Sequence, residues 1–328
     1  MNKKITAVAL FAMLFVLCIC AEAQQPKKVA RIGYLAPATR AGFAHNTEAF
    51  VQGLRDLGYV EGQNIIIEYR WADGNFERLP DLAADLARLK VDVIVAAVTQ
   101  ASLAAKNATR TIPIVMVAVG NPVDSGLIAS LARPGANITG TSVMSDEVIG
   151  KQLELFKETF PNITRVATMW NPANPVFQKL QLQAVEATAR TLNIKLQNVE
   201  ARDQDEIDRA FKAIAKERTR ALHVLADPVF TTQRRQIADL AVKYRLPTVS
   251  ANIELAEAGM LMTYGPNFPE SYRRAATYVA KILNGAKPED IPVERSTKFE
   301  LAINLKTAKQ IGVTIPQSVL FRADRVIK

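Results

Sequence analysis

The chain has 328 residues, 49% apolar and 22% charged, with 15 glycines and 16 prolines, which excludes collagen-like and low-complexity classes and leaves an ordinary globular protein about two domains long. The formal charge is +9, but Lys and Arg are spread beside acids at helical spacing, as at Lys212, Lys216, Glu217, Arg218 and Arg220, and no basic run interleaves with aromatics. That pattern is a solvated surface and excludes a nucleic-acid partner.

Residues 1–23 read as an address. Asn2-Lys3-Lys4 is a basic start, 5–19 is an uncharged apolar run, and Ala21-Glu22-Ala23 places small residues at both recognition positions, so a secretory signal peptide is expected with cleavage after Ala23. The run is shorter than the ~20 residues a bilayer span needs. Lipid anchoring on Cys18 or Cys20 is the minor alternative, since the small residue expected before the acceptor is missing there. Both cysteines leave with the peptide, so a disulfide framework, a thiolate metal cluster and a cysteine nucleophile are excluded from the body. Loss of Lys3, Lys4 and Glu22 leaves a mature chain of net charge +8. A cysteine-free chain suits an exported bacterial protein, here expected in the periplasm.

Short apolar runs then alternate with amphipathic stretches, the pattern of βαβ units on a parallel sheet. Strands are expected at 29–35, 64–69, 91–97 and 114–117, with helices at 47–57, 77–89 and 101–109. Gly58 is placed to end the first helix. The plan restarts with strands at 165–170, 195–199, 221–225 and 247–250 and helices at 176–192, 206–217 and 228–244. Ile66 to Ile94 and Leu196 to Val224 both span 28 residues, as expected of a duplicated unit. The fold expected is α/β, with two doubly wound parallel-sheet lobes joined by a multi-strand hinge. The N-terminal lobe is assigned 24–143 and the C-terminal lobe 144–290. The extended stretch 293–304 breaks the alternation, so 291–328 is expected to return through the hinge and pack on the N-terminal lobe.

Catalytic signatures are sparse. Gly135 to Ser142 imitates the spacing of a phosphate loop, but Thr141 stands where the lysine should be. No G-x-G-x-x-G follows a strand and no G-x-S-x-G elbow is present. His45 and His223 are the only histidines, and neither has a ligand pattern around it. No enzyme activity, metal or cofactor is expected. An enzyme or a sensory ligand-binding module on the same scaffold are the alternatives.

What remains is binding. In open parallel sheets ligands sit beyond the carboxyl ends of the strands. The candidates there are Tyr34, Thr99, Gln100, Gly120, Asn121, Trp170, Asn171, Asp227, Asn252 and Tyr264, with Phe177 as a further stacking residue. Asp227, between an apolar strand and Pro228, either caps the next helix or holds a ligand ammonium. Thr99, Gln100 and amides near Gly120 and Asn121 suit a carboxylate, and Tyr34 or Trp170 an apolar side chain.

Several segments carry a resemblance: Gly53-Leu54-Arg55-Asp56-Leu57-Gly58-Tyr59-Val60-Glu61-Gly62, Thr111-Ile112-Pro113-Ile114-Val115 with Asn121-Pro122-Val123, Ser130-Leu131-Ala132-Arg133-Pro134-Gly135, Tyr272-Arg273-Arg274-Ala275-Ala276 and Lys298-Phe299-Glu300-Leu301. In this order they resemble the bacterial ABC-transporter substrate-binding family typified by tryptophan/tyrosine-type importers, over the whole mature chain. The resemblance implies a periplasmic-binding-protein-like fold of type I closing on a small solute, with an aromatic or branched-chain amino acid expected. It also implies delivery by a monomer to a membrane permease driven by a separate ATPase.

Overall fold

The computed structural model describes residues 29–143 and 145–328. The expected signal peptide lies outside them. Two sheets organise the chain. The first runs in the order 294–295, 138–142, 114–119, 93–97, 30–36, 65–71 and is wholly parallel; the second runs 325–327, 299–304, 262–266, 248–250, 222–224, 165–170, 195–200 and is parallel except where 299–304 meets 262–266. The α/β expectation of two doubly wound lobes is met.

In the first lobe β1 (Ala30–Ala36), β2 (Ile65–Trp71), β3 (Val93–Ala97), β4 (Ile114–Val119) and β5 (Ile138–Ser142) carry the sheet. β3, β4 and β1 beyond Arg31 are apolar on both faces because helices cover both. Ile32, Tyr34 and Ala36 of β1, with Val93, Val95 and Ala97 of β3, face one core. Leu35, Ile94 and Ala96 face the other. This period-2 division puts α1 (Ala44–Asp56) on one side and α2 (Leu79–Arg88) with α3 (Val98–Ala108) on the other.

The second lobe repeats the scheme with α4 (Ser145–Thr159), β6 (Arg165–Trp170), α5 (Pro175–Thr191), β7 (Lys195–Glu200), α6 (Gln204–Lys216), β8 (Leu222–Val224), α7 (Pro228–Thr232), α8 (Arg234–Lys243), β9 (Thr248–Ser250), α9 (Ile253–Ala258) and β10 (Met262–Pro266). The helix expected over 228–244 is two, α7 and α8, with Gln233 between them.

After β10 the chain departs from the expected boundaries. The helix α10 (Phe268–Leu283), placed by the sequence reading in the C-terminal lobe, buries Tyr272, Ala275, Ala276, Val279 and Ile282 in the first lobe's core beside Phe50 and Leu54 of α1. The extended stretch is two short strands in different sheets: β11 (Glu294–Arg295) pairs with β5, and β12 (Phe299–Asn304) with β10. Residues 299–328 do not pack on the first lobe. Leu301, Ile303, Ala308, Ile311, Ile315 and Val319 join the second lobe's core, through β12, α11 (Leu305–Ile311) and α12 (Gln317–Leu320), and β13 (Arg325–Ile327) closes the edge. Alternation predicts that an element packs on a sheet, not which of two sheets; apolar faces on α10 and β12 made that choice. The chain therefore crosses between lobes three times, after β5, β10 and β11.

Candidate functional site

Between the lobes lies a cleft holding about 720 Å³ of atom-free space, its mouth included. Its walls are mostly apolar, with Phe43, Val98, Ala118 and Phe268 from the first lobe side and Ile149, Phe177, Ala226 and Pro228 from the second. A concave apolar site with a few convergent polar groups is the usual form of a small-molecule pocket.

The first lobe delivers the start of α3. Val98, Thr99 and Gln100 line the cleft, and the helix has no side-chain cap, since its N-cap position is Ala97. An uncapped helix start aims backbone N–H groups and the positive end of the helix dipole at whatever fills the space. The local backbone is strained to do so. Val98 has φ +58 and Ala118 φ +54, both in the left-handed region that β-branched and ordinary residues avoid. β4 also breaks register against β5 between Met116 and Val119. The kink is held by Thr141, whose Oγ1 accepts from Ala118 N–H at 3.0 Å, and by Thr99, whose Oγ1 accepts from Gly120 N–H at 3.4 Å.

The second lobe delivers Asp227, which lines the cleft. Asp227 is the N-cap of α7 and accepts from Val229 N–H at 2.9 Å. It also accepts from Asn171 Nδ2 at 3.0 Å, Asn174 Nδ2 at 3.0 Å and Gln178 Nε2 at 3.5 Å. Four donors fill the four lone-pair positions of a carboxylate. Burial pushes the carboxyl up to about 6, with the donors from Asn174, Asn171 and Val229 pulling the other way. Gln181 completes the frame, donating to Ala226 O at 3.1 Å and accepting from Ala226 N–H at 3.2 Å.

A second polar support lies under the cleft. Gln152 lines it, donates to Tyr264 O at 2.7 Å, and has its Oε1 2.7 Å from His223 Nε2. Because that oxygen only accepts, Nε2 carries the proton. Burial pushes His223 down to about 4, so the ring is neutral near pH 7.

Of the residues expected from the sequence, Thr99, Gln100, Asp227 and Asn252 line the cleft, as does Phe177. The others are elsewhere. Tyr34 is fully buried against Phe50, Tyr69 and Trp71. Trp170 packs behind the wall with Ile149, Val185 and Leu225, and Asn171 is spent on Asp227. Tyr264 stacks on Phe299 and reaches the site only through its carbonyl. Gly120 stands behind Thr99, and Asn121 accepts from Asp124 N–H in a turn. Sequence reasoning missed Asn46, Gln152, Gln181 and Tyr272. Asn174 at the N-cap of α5 and Gln178 and Gln181 within it, buried at i, i+4 and i+7, form a polar stripe at helical spacing that was legible as a signal.

Four wall residues carry buried polar atoms without a partner in the structure: Asn46 Oδ1, both amide atoms of Gln100, Asn252 Oδ1 and Tyr272 Oη. Such atoms are rare in native proteins, and their convergence marks a place where a ligand or water completes the bonding.

Residues 32–327 match the family described as ABC transporter substrate binding protein. The chain belongs to that family. It is a family of solute-binding proteins, not enzymes, and substrate-binding proteins of ABC importers work outside the cytoplasm. Among the described residues of this substrate-binding protein, no helix is long and apolar enough to cross a membrane. A relative in Clostridioides difficile, the "Tyrosine-binding protein", is 27% identical over 287 residues, 88% of this chain and 82% of that protein. A conserved domain protein from Vibrio cholerae is 30% identical, with TM-score 0.84 over 91% of this chain and all of that one. An ABC domain in complex with L-Trp from Streptococcus pneumonia shares the fold at 23% identity and TM-score 0.83, covering 91% of this chain and 99% of that one.

Proposed function

We propose that the protein is the periplasmic solute-binding component of an ABC importer and that it holds an amino acid with an aromatic or branched apolar side chain between its lobes. The observation that carries this reading is the convergence of partnerless buried polar groups from both lobes into one largely apolar cleft. The α-carboxylate sits at the uncapped start of α3, near Thr99 and Gln100, where backbone N–H groups and the helix dipole favour an anion. Gln100 Oε1 from the first lobe and Asn252 Oδ1 from the second are the free acceptors for the ammonium. Asp227, already saturated, shapes the wall instead of pairing with the ligand.

Gln100 and Asn252 lie on opposite lobes, so a ligand that bonds to both stabilises the closed arrangement in proportion to its preference for it. A membrane permease, powered by its ATPase, reads that closure, and a monomer suffices. The protein names of its relatives, tyrosine-binding in one and L-Trp-bound in the other, support an amino-acid ligand. The test is mass spectrometry of whatever small molecule survives native purification of the mature chain, followed by calorimetry with tryptophan, tyrosine, phenylalanine, leucine and isoleucine. Binding of at least one supports the reading. Silence from all five, with a different class of molecule retained, overturns it.

A further inference from the structure

An aromatic side chain that does not line the cleft joins the two lobes. Phe76 packs on the apolar cluster of the first lobe that holds Leu79, Leu86 and Ala101, and also on the cluster of the second lobe that holds Val229, Phe230 and Ile237. The other partly buried residues on these clusters, such as Leu103 and Leu131 on the first and Leu240 and Tyr244 on the second, belong to the lobe they pack on. The turn presenting Phe76 is anchored to the end of β1, where Ala72 N–H donates to Ala36 O at 2.9 Å and Gly74 N–H to Pro37 O at 2.8 Å. Asp73 and Gly74 take the left-handed backbone, φ +55 and +85, that their residue types tolerate. Arg78 pairs with Asp73 Oδ2 at 2.8 Å, and Asn75 Oδ1 accepts from Glu77 N–H at 3.0 Å to cap the short 3-10 turn Phe76–Arg78. A second contact crosses the same gap: a Cβ on Gly42, between β1 and α1, would lie 2.8 Å from Thr232 Oγ1 of α7.

We propose that Phe76 is a positioning residue for ligand capture, an apolar latch that holds the lobes together by itself, so that the ligand-free protein populates the closed arrangement. This rests on the reading above that the closed arrangement is the one that holds the ligand. Opening the lobes returns to water the part of the ring that packs on the second lobe, and exposing apolar surface is unfavourable. The anchored turn adds to the effect, because it delivers the ring without ordering a loop each time the lobes meet. A ligand's apparent affinity scales with the fraction of protein already in the binding-competent arrangement. Since Phe76 is outside the lining of the cleft, its contribution does not depend on what the ligand is. It sets how tightly ligands are held and how fast they leave, and not the choice among them.

Residues 24–328 contain no cysteine, so two introduced ones, Arg110→Cys after α3 and Lys212→Cys on α6, both at exposed positions, can carry dyes that read the distance between lobes. The test is single-molecule energy transfer on this labelled mature chain with Phe76 intact, with Phe76→Leu and with Phe76→Ala. Without ligand, the intact protein is expected to show a closed population, and Phe76→Ala to lower the closed-to-open ratio by about tenfold, with Phe76→Leu in between. Calorimetry with tryptophan, tyrosine, phenylalanine, leucine and isoleucine is expected to show dissociation constants that rise in Phe76→Ala by one common factor, equal within about twofold for those that bind. A protein wholly open without ligand overturns the proposal, as does an unchanged ratio in Phe76→Ala. A purely structural role would lower the urea midpoint and leave that ratio where it was. Weakening of one amino acid tenfold more than another would put Phe76 in ligand recognition and also overturn it. If none of the five binds, the amino-acid reading falls, while the ligand-free ratio still decides this one. Phe76→Leu keeps an apolar side chain on the first lobe's core, so it remains informative should Phe76→Ala not fold.

Discussion

Asn174 donates its Nδ2 to Oδ2 of Asp227 at 3.0 Å, across 53 residues of sequence, and so supplies from the N-cap of α5 one of the donors that hold the carboxylate capping α7. This contact, with its neighbours from Asn171 and Gln178, makes Asp227 part of the frame of the cleft. Asp227→Ala strands these buried amides and removes a helix cap. Each stranded group costs about 1–3 kcal/mol and a lost cap about 1 kcal/mol, with relaxation of the flexible amides recovering part. A net loss of about 3 kcal/mol is expected in urea unfolding. A loss below about 0.5 kcal/mol, the scatter of an ordinary surface substitution, would show that the frame is not structural.

The pH dependence of stability contains two opposed contributions. His223 is depressed from 6.5 to about 4 in the folded state by burial, so its contribution is complete above about pH 6.5 and is lost as pH falls toward 4. Asp227 is raised from 3.8 to about 6 by burial, so its contribution grows as pH falls from 6 toward 3.8 and is absent at neutral pH. Between about pH 4 and 6 folding releases the histidine's proton and takes up the aspartate's, and the two slopes cancel. Asp227→Asn removes one side of this balance. Relative to wild type, the variant should lose on the order of 3 kcal/mol more stability between pH 6.5 and 4, as two pH units correspond to about 2.7 kcal/mol per proton. Urea midpoints at pH 6.5, 5.5 and 4.5 measure it, and parallel profiles would refute it.

Gly53 marks the close approach of α1 and α10. A Cβ there would lie 2.7 Å from Arg273 O and 3.0 Å from Ala276 Cβ. Gly53→Ala gains about 1 kcal/mol of helix propensity, against about 1–3 kcal/mol for forcing packed backbone apart. The steric term is expected to win, giving a lower urea midpoint with unchanged slope. An equal or higher midpoint would mean the two helices separate freely.

Tyr34 is a core residue whose hydroxyl lies 3.2 Å from Thr47 Oγ1. Tyr34→Phe should cost about 1 kcal/mol through that bond and leave ligand affinity within twofold, a ratio read by calorimetry. A tenfold loss of affinity would return Tyr34 to the site.

The site was half legible for a physical reason. Thr99, Gln100, Asp227 and Asn252 were found because strand ends of a parallel sheet point at its ligand crevice, a rule that depends only on chain order. Tyr34 was read by the same rule and failed, since β1 runs on two residues past it and its ring is covered by Phe50 of α1 and by Tyr69 and Trp71 of β2. Asn46 and Tyr272 escaped notice because they sit in helices whose apolar periodicity reads as core.

Periodicity and composition by themselves determined that this is a duplicated α/β protein, since alternating apolar runs can bury their faces only in helix-covered parallel sheets, and the 28-residue repeat sets two of them. Which lobe owns α10, β11 and β12 was decided only in three dimensions. So was the role of Asp227, a cap by local sequence and a saturated carboxylate only once Asn171, Asn174 and Gln178 arrive from a neighbouring helix and loop. Local preferences act over a few residues along the chain, whereas burial and hydrogen-bond satisfaction depend on partners that folding alone brings within reach.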